Sequence, residues 1–217
     1  MHHDAATLDA PAAVEASPKR RQMLDAARGL FLAQGYGAVS MDAVARTAGV
    51  SKATLYAHFA SKAALFGMLM AEGCSQMLPP EENLFPAEVA DLRPALEALG
   101  GRTLRFMLRE DWLAIYRIAM AESVRFPELA HSFHANGPVR TLARTRDWIA
   151  QQQAAGKVRA DAEPEVAAQH LMGLLRSTLF LRATLGLPPA AEGADIDRAV
   201  AGAVDTWLRA FAADPDR

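Results

Sequence analysis

Apolar residues recur at three- and four-residue intervals along nearly all of the chain, and turn signals cut this pattern into about nine helical segments. Ser17-Pro18 opens the first, whose buried face is Met23, Ala27, Leu30 and Phe31 and whose stop is Gln34-Gly35. Ser40 caps a short second segment carrying Val44, Ala45 and Ala48, and Gly49 ends it. Ser51 caps a third, in which Leu55 and Phe59, with Val50 just before it, point inward. A fourth runs from Ser61 through Leu65, Met68 and Leu69 to residue 78, before Pro79-Pro80. Pro79, Pro80, Pro86 and Pro94 exclude a continuous helix up to residue 94.

From Ala95 the pattern is helical throughout. Leu96, Leu99, Leu104 and Leu108 mark the fifth segment, with Gly100-Gly101 expected to loosen or kink it. Asp111 is the expected cap of the sixth, which Phe126-Pro127 stops; a short helix over residues 127–135 follows, and Pro138 opens the seventh, ending at Gly156. The eighth is read as one run from Glu163 or Pro164 to Gly186, and the ninth as Asp195 to Phe211. The fold class is therefore all-α. Residues 1–16, small, polar and without periodicity, are expected to be a disordered tail, followed by a three-helix unit over 17–64 and a larger helical domain over 65–217.

Residues 40–62 concentrate the chemistry. Two short helices meet at Ala48-Gly49-Val50-Ser51, which reads as a helix-turn-helix. With Leu55 and Phe59 turned inward, the third segment offers Lys52, Thr54, Tyr56 and His58 outward: an ammonium, a hydroxyl, a phenol and an imidazole. Ala53 and Ala57 would let the backbone come close to the major groove. The charge distribution agrees. The formal net charge is −2, but residues 17–70 hold Lys19, Arg20, Arg21, Arg28, Arg46, Lys52 and Lys62 against Asp25 and Asp42, a local +5 that leaves −7 elsewhere. Lys19, Arg20 and Arg21 stand at a helix start, where cations oppose the dipole; a phosphate-reaching arm explains them better than stability does.

The motifs A-x-x-L-F-x-x-x-G-Y over 27–36, A-x-x-A-G-V-S-K-A-T-L-Y-x-H-F over 45–59 and S-K-x-x-L over 61–65 resemble the DNA-binding domain of TetR-family regulators. The resemblance covers about fifty residues. It implies an all-α homodimer whose N-terminal domain binds a palindromic operator on double-stranded DNA and whose C-terminal domain holds an inducer pocket and the dimer interface. Carried over by position, Lys52, Ala53, Thr54 and Tyr56 face base edges or nearby backbone, and Ser40, Met41, Tyr56, His58 and Lys62 contact phosphates. Met41 stands where relatives often have a hydroxyl residue. With Lys19, Arg20, Arg21 and Ser51 these make the expected DNA-binding set.

The same resemblance places a ligand cavity among the Met and aromatic residues of the fifth to seventh segments: Phe106, Met107, Trp112, Tyr116, Met120, Phe133 and Trp148. Arg117, Glu122, Arg125, His131 and His134 are candidate polar anchors. The last two segments carry wide apolar stripes, and Leu171, Leu175, Leu179, Val200, Val204, Trp207 and Phe211 are expected to form a four-helix dimer interface with a second copy. The alternative is a monomer whose hairpin covers its own core. Cys74, the single cysteine, excludes an intrachain disulfide and is read as a buried small hydrophobe. No stretch approaches the roughly 20 apolar residues of a membrane span, so the expectation is a soluble cytoplasmic protein with no membrane partner. No phosphate loop, zinc pattern or nucleophile motif is present. The reading is a ligand-responsive repressor with no catalytic centre, metal or cofactor; an activator of the same type, or an all-α enzyme or scaffold, stays open.

Overall fold

The computed structural model describes residues 17–77, 85–188 and 192–213, with the side chains of residues 74–77 excepted. The N-terminal tail, the Cys74 side chain and the Pro79-Pro80 break therefore lie outside the described residues. Eleven helices are described: α1 Pro18–Ala38, α2 Met41–Thr47, α3 Lys52–His58, α4 Lys62–Met77, α5 Leu92–Met107, α6 Glu110–Glu122, α7 Pro127–Asn136, α8 Pro138–Ala154, α9 Pro164–Leu175, α10 Thr178–Thr184 and α11 Gly193–Phe211. Among these residues the one β pairing is an antiparallel bridge, Val158 to Ala212.

Two apolar cores organise the chain. In the first, Phe31, Tyr36, Val44, Leu55, Phe59, Leu65 and Phe66 from α1–α4 pack together with Ile115 and Ala119 of α6 and Leu129 and Phe133 of α7. The N-terminal head is thus built onto the larger domain through a shared interior. In the second, Leu96 and Leu99 of α5 meet Trp148 and Ile149 of α8, Leu171 and Leu175 of α9, and Val200, Val204 and Trp207 of α11. Burial of side chains this size, each worth about 1.5–3 kcal/mol, is what holds the helices together.

Several sequence expectations change. Gly35 does break α1, with φ 77°, but the chain takes one more helical turn to Ala38. Pro94 does not delay α5: Asp91 caps the helix from Leu92, accepting the Arg93 N–H at 2.9 Å, and proline is tolerated in a first turn, where its missing N–H would have no helical partner. Gly100-Gly101 does not kink that helix. A Cβ on Gly100 would stand 3.1 Å from Leu175 and 3.2 Å from Val200, so glycine there lets three helices close on each other. Asp111 is inside α6, after the start at Glu110, and its carboxylate instead accepts from Arg109 and the Trp112 N–H. The expected single eighth helix is two, α9 and α10, separated by extended backbone at Ser177 (φ −67°, ψ −171°).

Candidate functional site

The head presents its third helix by capping. Ser40 Oγ accepts from Ala43 N–H and Ser51 Oγ from Thr54 N–H, each at 3.1 Å, so both short helices start on a serine that satisfies an otherwise unpaired amide. Between them Gly49 takes φ 61°, and its N–H and that of Val50 return to Arg46 O and Ala45 O. Leu55 and Phe59 anchor α3 in the first core, which leaves Lys52, Ala53, Tyr56 and His58 exposed and Thr54 half-buried, its hydroxyl 2.8 Å from Ser51 Oγ. Lys52 Nζ pairs with Asp42 at 2.9 Å. That carboxylate raises the lysine pKa, and an exposed pair of this kind is weak enough to be exchanged for a phosphate. Lys19 and Arg21 are exposed on the first turn of α1, and Arg20 lies over the Phe59 ring at 5.6 Å. Arg46, outside the expected set, is exposed at the end of α2.

Two of the expected phosphate contacts are corrected. Met41 is 8% exposed and its side chain belongs to the first core, so only its backbone could face DNA. Lys62 turns away from the surface: its Nζ donates to Tyr36 O at 2.7 Å and Val39 O at 2.9 Å, and lies 4.2 Å from the centre of the Tyr36 ring. These carbonyls belong to the last turn of α1 and its C-cap, where helical N–H partners run out. In the same turn Glu122, from the end of α6, accepts the Gly37 N–H at 3.0 Å, an amide that the break at Gly35 leaves without a helical acceptor, and Phe126 packs edge-on against Tyr36 at 5.2 Å.

Burial, reinforced by the Glu128 and Glu122 carboxylates, pushes the Tyr36 phenol up to about 12. The folded state therefore holds that proton more tightly than the unfolded chain does. Its contribution is full below the ordinary tyrosine value of 10.0 and is lost as pH rises through about 12. Tyr36→Phe should flatten the alkaline fall in stability over that window, measured by urea unfolding at stepped pH.

A cavity of about 570 Å³ opens between α5, α6, α7, α8, α9 and α10. Phe106, Met107, Trp112, Tyr116 and Phe133 line it as expected, joined by Phe180. Met120 does not; it is 46% exposed. Trp148 does not either, being buried in the second core with Nε1 donating to Pro86 O at 2.9 Å. Of the candidate anchors only His134 lines the cavity. Arg117 is committed to the carbonyls of Ala183 and Thr184, Arg125 lies over the Phe126 ring, and His131 Nδ1 bonds the Pro127 carbonyl. Phe133 belongs both to the cavity wall and to the core that carries α1–α4.

Comparison with known proteins decides what this arrangement is. Residues 23–69 match the profile described as bacterial regulatory proteins, tetR family, and residues 94–213 that of the AefR-like transcriptional repressor, C-terminal domain. The HTH-type transcriptional repressor Rv1474c of Mycobacterium tuberculosis is 30% identical over 82% of this chain and 89% of its own. The chain belongs to the TetR family of transcriptional regulators. Among solved structures, a TetR-family transcriptional regulator from Mesorhizobium loti superposes with a TM-score of 0.77 at 27% identity, over 91% of this chain and 98% of that one. The flavonoid-responsive regulator FrrA superposes at 0.73 with 35% identity, over 89% and 97%. The TetR-family protein is accordingly a DNA-binding transcriptional regulator and not an enzyme. No described helix is long and apolar enough to cross a membrane.

The expected dimer set fares differently in this TetR-family chain. Leu171, Leu175, Val200, Val204 and Trp207 are buried in the subunit's own second core, and Leu179 and Phe211 pack against it. Within the subunit, α9 and α11 turn these side chains toward a shared interior. Exposed apolar side chains include Leu181 (57%), Leu185 (63%) and Leu187 on and after α10, and Ala201 and Gly202 form part of the open face of α11. The break at Ser177 that turns Phe180 into the cavity is also what turns Leu181 and Leu185 out, and no proline or glycine in the sequence announces it.

Proposed function

We propose that this TetR-family regulator is a homodimeric repressor of the cytoplasm, released from a palindromic operator by a small hydrophobic or amphipathic molecule bound in the cavity of α5–α10. The observation that carries the reading is Phe133, one side of which faces the cavity while the other packs with the head. Ser132, its neighbour, donates to Ala63 O at 2.8 Å, and a Cβ on Gly67 of α4 would stand 2.2 Å from Ser132 Oγ, so α7 and α4 move together. A ligand that shifts α7 therefore shifts the end of the head, and the recognition helices of two subunits, about 34 Å apart on successive major grooves, lose their spacing. Relief needs a difference in affinity between the two arrangements of only ~2–5 kcal/mol. That FrrA is flavonoid-responsive supports a small-molecule signal. The exposed Leu181 and Leu185 with the open face of α11 support pairing with a second copy.

DNA binding tests the head. Footprinting on the DNA upstream of its own coding region should give a symmetrical protected site. On that site Lys52→Ala should weaken binding to all sequences alike and reduce the slope of log affinity against log salt by about 1, whereas Thr54→Ala should change base preference at one position of each half-site. Equal losses on the operator and on random DNA for both variants would overturn the assignment of α3 as the reading helix.

A further inference from the structure

The walls of the cavity say what shape its ligand has. Phe106, Trp112, Phe133, Tyr116 and Phe180 form an unbroken series of rings, with successive centroids 4.4, 6.5, 5.8 and 5.3 Å apart. Such a wall favours flat aromatic surface, which can stack or meet edge-on, over flexible aliphatic chains.

Inside it one fully buried hydroxyl has no partner. A threonine within a helix commonly donates to the carbonyl four residues back. Thr141, Thr145, Thr184 and Thr206 all do so here, at 2.9–3.3 Å. Thr103 of α5 does not. It lines the cavity, is 2% exposed, and its Oγ1 has no hydrogen-bond partner. A buried unpaired hydroxyl is costly to leave and can both donate and accept.

The charges at the rim are unequal. Glu165 is already engaged, by Arg146 at 3.8 Å and by Gln169 Nε2 at 3.3 Å, and Arg146 also holds Asp147. Arg176, exposed and lining the same cavity, has no ion pair among the described residues. The vacant charge at the opening is positive.

We propose that the ligand is a planar, fused or linked aromatic system with an oxygen function at one end, bound by Thr103 Oγ1, and an anionic group at the other, bound by Arg176. This rests on the reading of the cavity as the inducer site and adds the chemistry it selects. Thr103 is then the specificity-determining residue inside and Arg176 the one at the rim.

Calorimetric titration of the full chain with three matched probes tests it: 6-hydroxy-2-naphthoate, 2-naphthoate and 6-(aminomethyl)-2-naphthol. The hydroxynaphthoate should bind about tenfold more tightly than 2-naphthoate, the equivalent of one well-placed hydrogen bond. Thr103→Val, which keeps the volume, should erase that difference and Thr103→Ser should keep it. Arg176→Gln should weaken both carboxylates by about fivefold and leave the amine unchanged. Retention of the hydroxyl preference in Thr103→Val, tighter binding of the amine than of its carboxylate counterpart, or no binding of any probe to the folded chain would overturn the proposal. Operator DNA that is bound and then released by a molecule of another kind would overturn it while leaving the regulator reading intact; failure to bind any symmetrical DNA would instead remove that reading.

Discussion

Replacing Lys62 with alanine is expected to lower stability by about 2 kcal/mol and to weaken binding to every DNA sequence without altering its salt dependence. The ammonium is a hydrogen-bond donor to two carbonyls, Tyr36 O in the last turn of α1 and Val39 O at its C-cap, which the end of the helix at Ala38 leaves without helical partners. Hydrogen bonds from a charged group are worth about 1.5–3 kcal/mol each, and taking the donor away leaves part-buried carbonyls unpaired. Opposing this, burial lowers the Lys62 pKa, so charging it carries a cost at neutral pH that lifts only as pH rises through the ordinary lysine range; Glu122 and Glu128 act the other way. The hydrogen bonds win because there are two of them, with the Tyr36 ring beneath adding to both. Urea unfolding gives the stability change, and fluorescence anisotropy on operator DNA at several salt concentrations gives the slope. A slope that falls by about 1 would put Lys62 on a phosphate after all.

That residue also shows where sequence reading reached its limit. The turn between α2 and α3 was legible because it is local: Ser40, Gly49 and Ser51 fix the helix ends within a few residues of themselves, and spacing alone separates Leu55 and Phe59 from Lys52 and Tyr56. Lys62 looked like one more exposed cation because its partners are 23 and 26 residues away, in a segment whose need for a donor arises only where α1 ends at Ala38. Glu122 is the same case at longer range, 85 residues from Gly37. In both, the side chain serves a backbone defect that no periodicity records.

The cavity was half legible for a related reason. Aromatic and Met residues on amphipathic helices announce burial, not what they are buried against. Phe106, Trp112, Tyr116 and Phe133 face a void while Trp148, of the same type and on an equally periodic helix, fills a core. Thr103, Gln169 and Arg176 were missed because polar residues beside a stripe read as its solvent edge. The one available hint, the Gly100-Gly101 pair two residues before Thr103, was taken as a weakness in α5; in the structure it is a close approach to α9 and α11.

Trp207→Ala should cost about 3–5 kcal/mol and lower the melting temperature by roughly 10 °C, by the same amount at every protein concentration. The stripe Ile196, Val200, Val204, Trp207 invites the opposite expectation, that its loss would separate two subunits. Trp207 is fully buried within one subunit, its Nε1 donating to Ala167 O at 2.8 Å and its ring 5.3 Å from Phe211. Removing it leaves a cavity between α9 and α11 and takes a second donor from the Ala167 carbonyl, which lies within α9. A second substitution separates core from interface. Leu185 is 63% exposed, so Leu185→Glu should leave the melting of the isolated subunit unchanged within about 0.5 kcal/mol while shifting association toward single subunits in sedimentation. If Trp207→Ala instead yielded stable single subunits, the hairpin stripe would be the interface and the second core would have to be supplied by a partner. The geometry opposes that outcome, because an apolar stripe buried in its own subunit's core has no side left to offer another copy.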